Sequence, residues 1–186
     1  VAAHMYYLED ARDLLRSGVD FLAHSVRDRD VDADFIALLK QRGVSYCPTL
    51  TREVSTYVYE STPAFFQDPF FAVEADPVVL RELENPTRQR SIQGSTQAQH
   101  YKVALGMAKK NLKRLQDAGI PIAFGTDSGP PARFQGYFEH MEMDLMAEAG
   151  LTPMQIVISA TAGAAKSLGL KGVGTLETGN WADFVV

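Results

Sequence analysis

A strand, a helix and a glycine recur in that order along this sequence, and the rhythm constrains the fold more than any other feature. Residues 1–4 form a short apolar run ending at His4. Leu8, Ala11, Leu14 and Leu15 then recur at helical spacing, with Glu9 and Asp10 near the start and Gly18 past the end. The order repeats with an apolar run over 19–24 ending at His24, an amphipathic stretch around Phe35, Ile36, Leu38 and Leu39, and Gly43. A third run covers 44–50. After a long interruption come a helix over about 97–118, Gly119, a fourth run over 120–125, a helix over 136–149 and Gly150. Thr152 before Pro153 marks one more helix start, running to about 168. Buried strands alternating with crossover helices predict an α/β fold with a parallel sheet.

Four such units are half of a closed eight-stranded barrel. The expected architecture is therefore one half of a TIM-like β/α barrel occupying residues 1–170, with open sheet edges that need the other half as partner. Both ends read as cuts from a longer protein, because residue 1 and residues 182–186 each stand inside an apolar run. Residues 51–95 break the rhythm with Pro63, Pro69, Pro77 and Pro86 among Tyr57, Tyr59, Phe65, Phe66, Phe70 and Phe71. Long connections are usually functional, so this insertion is expected to carry short helices over the barrel mouth. The alternative is an aromatic hairpin packed on the barrel or on a second subunit, which leaves a homo-oligomer open.

Composition narrows the partners. A formal net charge of -5 and the lack of a basic patch speak against nucleic acid or an anionic membrane surface. No apolar run approaches the roughly 20 residues needed to span a bilayer. The single cysteine, Cys47, has no intrachain partner, which fits a reducing, cytoplasmic setting without excluding secretion.

The chemistry sits where the apolar runs stop. His4 ends the first, His24 the second, and Asp127 follows the fourth in Gly125-Thr126-Asp127-Ser128-Gly129. In a β/α barrel the active site is built at the C-terminal ends of the strands. Imidazole and carboxylate suit zinc, iron or manganese, and three such ligands leave a coordination position for water. Singly, each has a plainer reading: a histidine satisfied structurally, or an aspartate that forms a turn or caps a helix.

Taken together, the segments around His4 (Val1 to Tyr6), His24 (Gly18 to His24) and Asp127 (Phe124 to Gly129) resemble the second half of the amidohydrolase superfamily. The chain is similar to its branch of imidazolonepropionase-related amidohydrolases and Xaa-Pro dipeptidases. The resemblance implies a distorted barrel with His4 on the fifth strand, His24 on the sixth and Asp127 on the eighth. It implies further that the histidines hold the second of two metals, while Asp127 holds the first and accepts a proton from the attacking water. Residues 171–186 are similar to the family's return into a small β-sandwich domain. The family's first-strand His-x-His pair and bridging lysine have no counterpart here, which leaves one or two metal ions open, and Ser25 stands where the family commonly has glycine.

The expected activity is hydrolysis of an amide or peptide-like C–N bond, in a dipeptide or N-acyl amino acid, by a water activated on a divalent metal, most simply zinc. A deaminase of a cyclic amidine or nucleobase-like ring uses the same strand ends. A non-catalytic half barrel that only associates with a partner is the reading from another class, and the chain by itself is expected to be inactive. Tyr6, Arg52 and His140 are candidate substrate contacts, each with an ordinary structural reading beside it.

Overall fold

The computed structural model describes residues 1–73 and 75–184. Three short strands, β1 (Ala2–His4), β2 (Phe21–Ala23) and β3 (Ser45–Cys47), pair in parallel in the order β1-β2-β3. Helices α1 (Leu8–Arg16) and α2 (Ala33–Arg42) carry the crossovers. The glycine stops work as expected: Gly43 closes α2 at φ 63°, in the left-handed region that glycine adopts without a Cβ penalty. At the other end of α2, Asp32 accepts from Phe35 N and so caps the helix.

The fourth strand expected over 120–125 is reduced to one bridge, Tyr46 to Ile122. Tyr46 N donates to Pro121 O, and Ala123 N donates to Tyr46 O. Extending this parallel ladder one way needs an N–H at residue 121, and extending it the other way needs one at residue 48. Both are proline and have none. Phe124 N turns away to Ser159 O instead.

The insertion begins with α3 (Leu50–Val54) and two 3-10 turns at Val58–Glu60 and Ala64–Gln67. It continues with α4 (Pro69–Ala72), α5 (Pro77–Leu83) and α6 (Pro86–Gln93). Three of the prolines that broke the rhythm are thus first-turn residues, preceded by Asp68, Asp76 and Asn85 as caps. Tyr59, Phe66, Phe71 and Leu83 bury one another in a core of their own, with Phe134 and Tyr137 packed against it. The aromatic residues are thus chiefly the interior of the insertion. Its contact with the loop after Asp127 includes Tyr59 Oη donating to Ala132 O at 2.6 Å.

The long helix α7 (Thr96–Asp117) runs nearly as expected. Leu105, Ala108, Leu112 and Leu115 face the main core, whereas Val103, apolar like them, is 76 % exposed. Two positions before Leu105 is about 200° round the helix, so Val103 lies on the opposite face. Helix α8 (Tyr137–Glu148) follows, then α9 (Pro153–Ile158), a π-turn at Ser159–Gly163 and α10 (Ala164–Ser167). Thr152 caps α9 by accepting from Gln155 N, as the Thr-Pro pair predicts. Residues 171–184 contain a turn, closed by Trp181 N donating to Gly172 O, but not the expected strand; Val185 and Val186 lie outside the described residues. Among the described residues no helix is long and apolar enough to cross a membrane.

Candidate active site

His4 lies opposite Ala23 in the β1–β2 register, and His24 follows directly. The two histidines therefore leave neighbouring parallel strands at the same, C-terminal end. His4 Nδ1 stands 2.6 Å from His24 Nε2, and His24 Nδ1 stands 2.6 Å from Thr49 Oγ1 beyond the end of β3. With its proton on Nδ1, His24 donates to the Thr49 hydroxyl and turns the Nε2 lone pair toward His4. Burial pushes the His24 imidazole down to about 4; the Asp127 carboxylate opposes this, while Arg52, His4 and Arg27 add to it. His24 is neutral at neutral pH, the state in which imidazole binds a metal.

Asp127 takes φ 60° in the turn after the bridge segment. The turn itself is made by Thr126, whose hydroxyl accepts from Ser128 N at 3.1 Å and donates to Glu139 Oε1 at 2.8 Å. Helix α8 is entered through Gly136, whose N–H is taken by Glu139. Asp127 therefore does not cap α8, and its carboxylate makes none of the bonds of the Thr126–Ser128 turn. Its carboxylate pairs with Arg133, which also donates to Asp127 O at 3.1 Å and to Ser55 Oγ at 3.1 Å. So the expected trio is only partly assembled: His4 and His24 meet, while Asp127 acts on His24 through its charge but turns its oxygen to Arg133. Among the described residues no three His, Cys, Asp or Glu side chains are gathered as a metal-ligand group.

The donor chemistry of the histidine pair, two imidazole nitrogens at neighbouring strand ends, suits a divalent ion. At 2.6 Å the two nitrogens share a proton, His4 Nδ1 donating when His24 carries its own proton on Nδ1; with metal–nitrogen bonds of about 2.0–2.1 Å, the rings would give up this hydrogen bond and move apart to bind one ion together. His4 and His24 would hold the ion, with the Thr49 hydroxyl bonded to the far nitrogen of His24 and holding its ring.

Of the candidate substrate contacts, Arg52 acts on His24 through its charge and Tyr6 follows His4 by two residues, whereas His140 does neither. Tyr6 Oη bonds His100 Nε2, and the Arg27 guanidinium lies 4.4 Å from the Tyr6 ring centre. Arg52 lies 5.0 Å from the Tyr101 ring centre and 3.2 Å from Glu53 Oε1. His140, expected at the mouth, is an exposed residue of α8 packed edge-on to Phe70, in a cleft with Asp68, Asp144 and Glu148 that contains none of His4, His24 and Asp127.

Several residues that hold the site were passed over in the sequence. Arg27 and Glu53 form a buried ion pair at 3.0 Å. Asn111 on α7 donates to Val26 O and Arg29 O and accepts from Val31 N, pinning the loop after His24. Glu142 on α8 accepts from Leu50 N, Thr51 N and Thr51 Oγ1, capping α3 just past Thr49. Asn111 had a signal, a polar residue beside Leu112 on the buried face of α7. Arg27, within Arg27-Asp28-Arg29-Asp30, reads as one of a run of solvated charges.

Residues 1–186 match the profile of the Amidohydrolase family. The chain belongs to the amidohydrolase family. Among curated family relatives, it is 34% identical over 88 residues to a 5-methylthioadenosine/S-adenosylhomocysteine deaminase of Bacillus cereus, covering 44% of this chain and 20% of that one. It is 38% identical over 73 residues to an imidazolonepropionase of Cutibacterium acnes, covering 39% of this chain and 18% of that one. In fold it resembles a Xaa-Pro dipeptidase crystallised with methionine in its active site, at TM-score 0.67 and 22% identity over 98% of this chain and 37% of that one. A putative prolidase from Bifidobacterium longum gives TM-score 0.68 and 23% identity, over 98% and 39%. The amidohydrolase chain described here thus spans less than two-fifths of these four relatives.

Proposed function

We propose that this amidohydrolase segment is the C-terminal half of a β/α barrel and carries part of a metal site that hydrolyses an amide or peptide-like C–N bond. The observation that carries the reading is the facing pair of His4 Nδ1 and His24 Nε2 at the strand ends, with His24 held neutral. A divalent metal there, zinc in the simplest case, supplies Lewis-acid activation of water. Asp127, whose charge acts on His24, would take a proton from the attacking water and deliver it to the leaving nitrogen once its carboxylate releases Arg133. Tyr6 and Arg52 offer a hydroxyl and a guanidinium to a substrate carbonyl or carboxylate. His140 stands apart and has no part in this reading.

The fold neighbours named as a Xaa-Pro dipeptidase and a putative prolidase favour a dipeptide-like substrate. The likeness to a deaminase supports a second reading, deamination of a nucleobase-like ring at the same strand ends. A panel of dipeptides, N-acyl amino acids and amino-purines, assayed with the polypeptide bearing this segment and added Zn²⁺, separates the two. In that polypeptide Asp127→Asn keeps size and fold but cannot take a proton, so turnover is expected to fall roughly 10²- to 10⁴-fold. His24→Asn is expected to lose bound metal and to recover in part with excess metal. Near-normal turnover in Asp127→Asn refutes the proton-transfer role.

A further inference from the structure

Arg27 occupies a position that the proposed reaction does not use. Its side chain and that of Glu53 are 2% and 1% exposed, so the two charges are held almost wholly out of water. The Arg27 Nη1 group donates to Met5 O at 3.1 Å and to Ser25 O at 2.6 Å. These carbonyls belong to the residues that directly follow His4 and His24. Arg27 N adds a bond to Tyr6 O at 3.2 Å, and the guanidinium lies against the Tyr6 ring. Arg27 Nε sits 3.0 Å from Glu53 Oε1, yet without the alignment of a hydrogen bond. Glu53 belongs to α3, which begins directly after Thr49, and Thr49 carries the hydroxyl that touches His24.

One buried guanidinium therefore touches the chain after β1, the chain after β2 and the helix after β3. We infer that Arg27, anchored by Glu53, is a positioning residue that sets the spacing of His4 and His24 by tying together the ends of the three strands that present them and Thr49. The planar fork suits this task, since it offers several donors in fixed directions, which an ammonium does not. The metal-binding part of the inference rests on the proposed function; the spacing of the two rings does not.

The test uses the full chain, with Co²⁺ as probe and His4→Asn and His24→Asn as background controls. Two readings are taken: Co²⁺ affinity from visible absorption, and the ring-to-ring contact of His4 and His24 by NMR without metal. The double variant Arg27→Met/Glu53→Met removes both charges together, so neither is left buried alone. It is expected to fold, to lose the ring contact and to bind Co²⁺ roughly 10- to 100-fold more weakly, the usual loss when a group supporting metal ligands is removed. Arg27→Lys keeps the charge without the fork and is expected to lose the contact in part; it decides the matter if the double variant does not fold. An unchanged ring contact in a folded variant overturns the inference. If the parent and His24→Asn bind Co²⁺ equally, the metal reading fails, and the ring contact alone then decides the clasp.

Discussion

Glu142 allows a contest between two electrostatic effects to be measured. Its carboxyl is wholly buried and faces Leu50 N at 2.8 Å, Thr51 N at 2.7 Å and Thr51 Oγ1 at 2.8 Å. Burial favours the neutral acid and the three donors favour the carboxylate; burial prevails, and the group is pushed up from 4.5 to about 7. The sign follows from proton binding. Below pH 4.5 folded and unfolded chains both hold the proton, and the group's stabilising contribution is fully present. Between 4.5 and about 7 only the folded chain keeps it, so stability falls by about 1.4 kcal/mol per pH unit, a total of about 3 kcal/mol, and above that the loss is complete. Urea unfolding of the parent and of Glu142→Gln across pH 4.5 to 8.5 isolates this group, because the other titrations cancel in the difference. The parent is expected to lose about 3 kcal/mol relative to the variant over that range. A difference that stays flat, or that moves in favour of the parent as pH rises, shows that the donors prevail.

Two further outcomes concern packing. A Cβ added at Gly163 would stand 2.9 Å from both Ile122 O and Ile158 O, backbone atoms that cannot swing aside, so Gly163→Ala is expected to cost about 1–3 kcal/mol in unfolding free energy. Gly106, exposed within α7 with nothing near its added Cβ, makes Gly106→Ala the matched control, expected to stabilise by about 0.4–1 kcal/mol; equal effects at the two sites refute the close-approach argument. Phe71→Ala opens the separate aromatic core and is expected to expose residues 51–95 to limited proteolysis while the main core stays protected. Cleavage spread evenly over the chain would show that the two cores unfold together.

The alternation of strands, helices and glycine stops was legible because each rests on local chemistry. Gly43 at the end of α2 and Thr152 before Pro153 act through their immediate neighbours, as capping requires. The truncation of the fourth strand was legible in principle too, through Pro48 and Pro121, but only once the register was known, since a proline matters only where its missing N–H would have been used. The polar framework was not legible. Arg27 meets Glu53, Asn111 meets Val26, and Glu142 meets Leu50 across 26, 85 and 92 positions of sequence, and nothing local to any of them reports the partner. Asp127 was found, yet its pairing with Arg133 was not, because whether residues 128–132 fold the chain back on itself depends on backbone angles that the residue types do not fix.

The backbone adds an argument for the site that side chains alone do not. Among the described residues, His24, Thr49, Asp127 and Ala132 are the non-glycine residues at positive φ, at 73°, 46°, 60° and 67°, and the first three stand just beyond the C-terminal ends of the sheet segments. An L-residue held there costs roughly 1–2 kcal/mol, which glycine would avoid. Histidine and aspartate are among the residues that tolerate this region, but threonine is β-branched and a genuine outlier in it. If these turns served only to reverse the chain, Thr49 would be the costliest choice of the three. What Thr49 has and glycine lacks is the hydroxyl 2.6 Å from His24 Nδ1, the contact that fixes which nitrogen of His24 faces His4. The strain is thus concentrated on the residue whose side chain orients a proposed ligand, as expected when backbone strain is kept for the sake of a site.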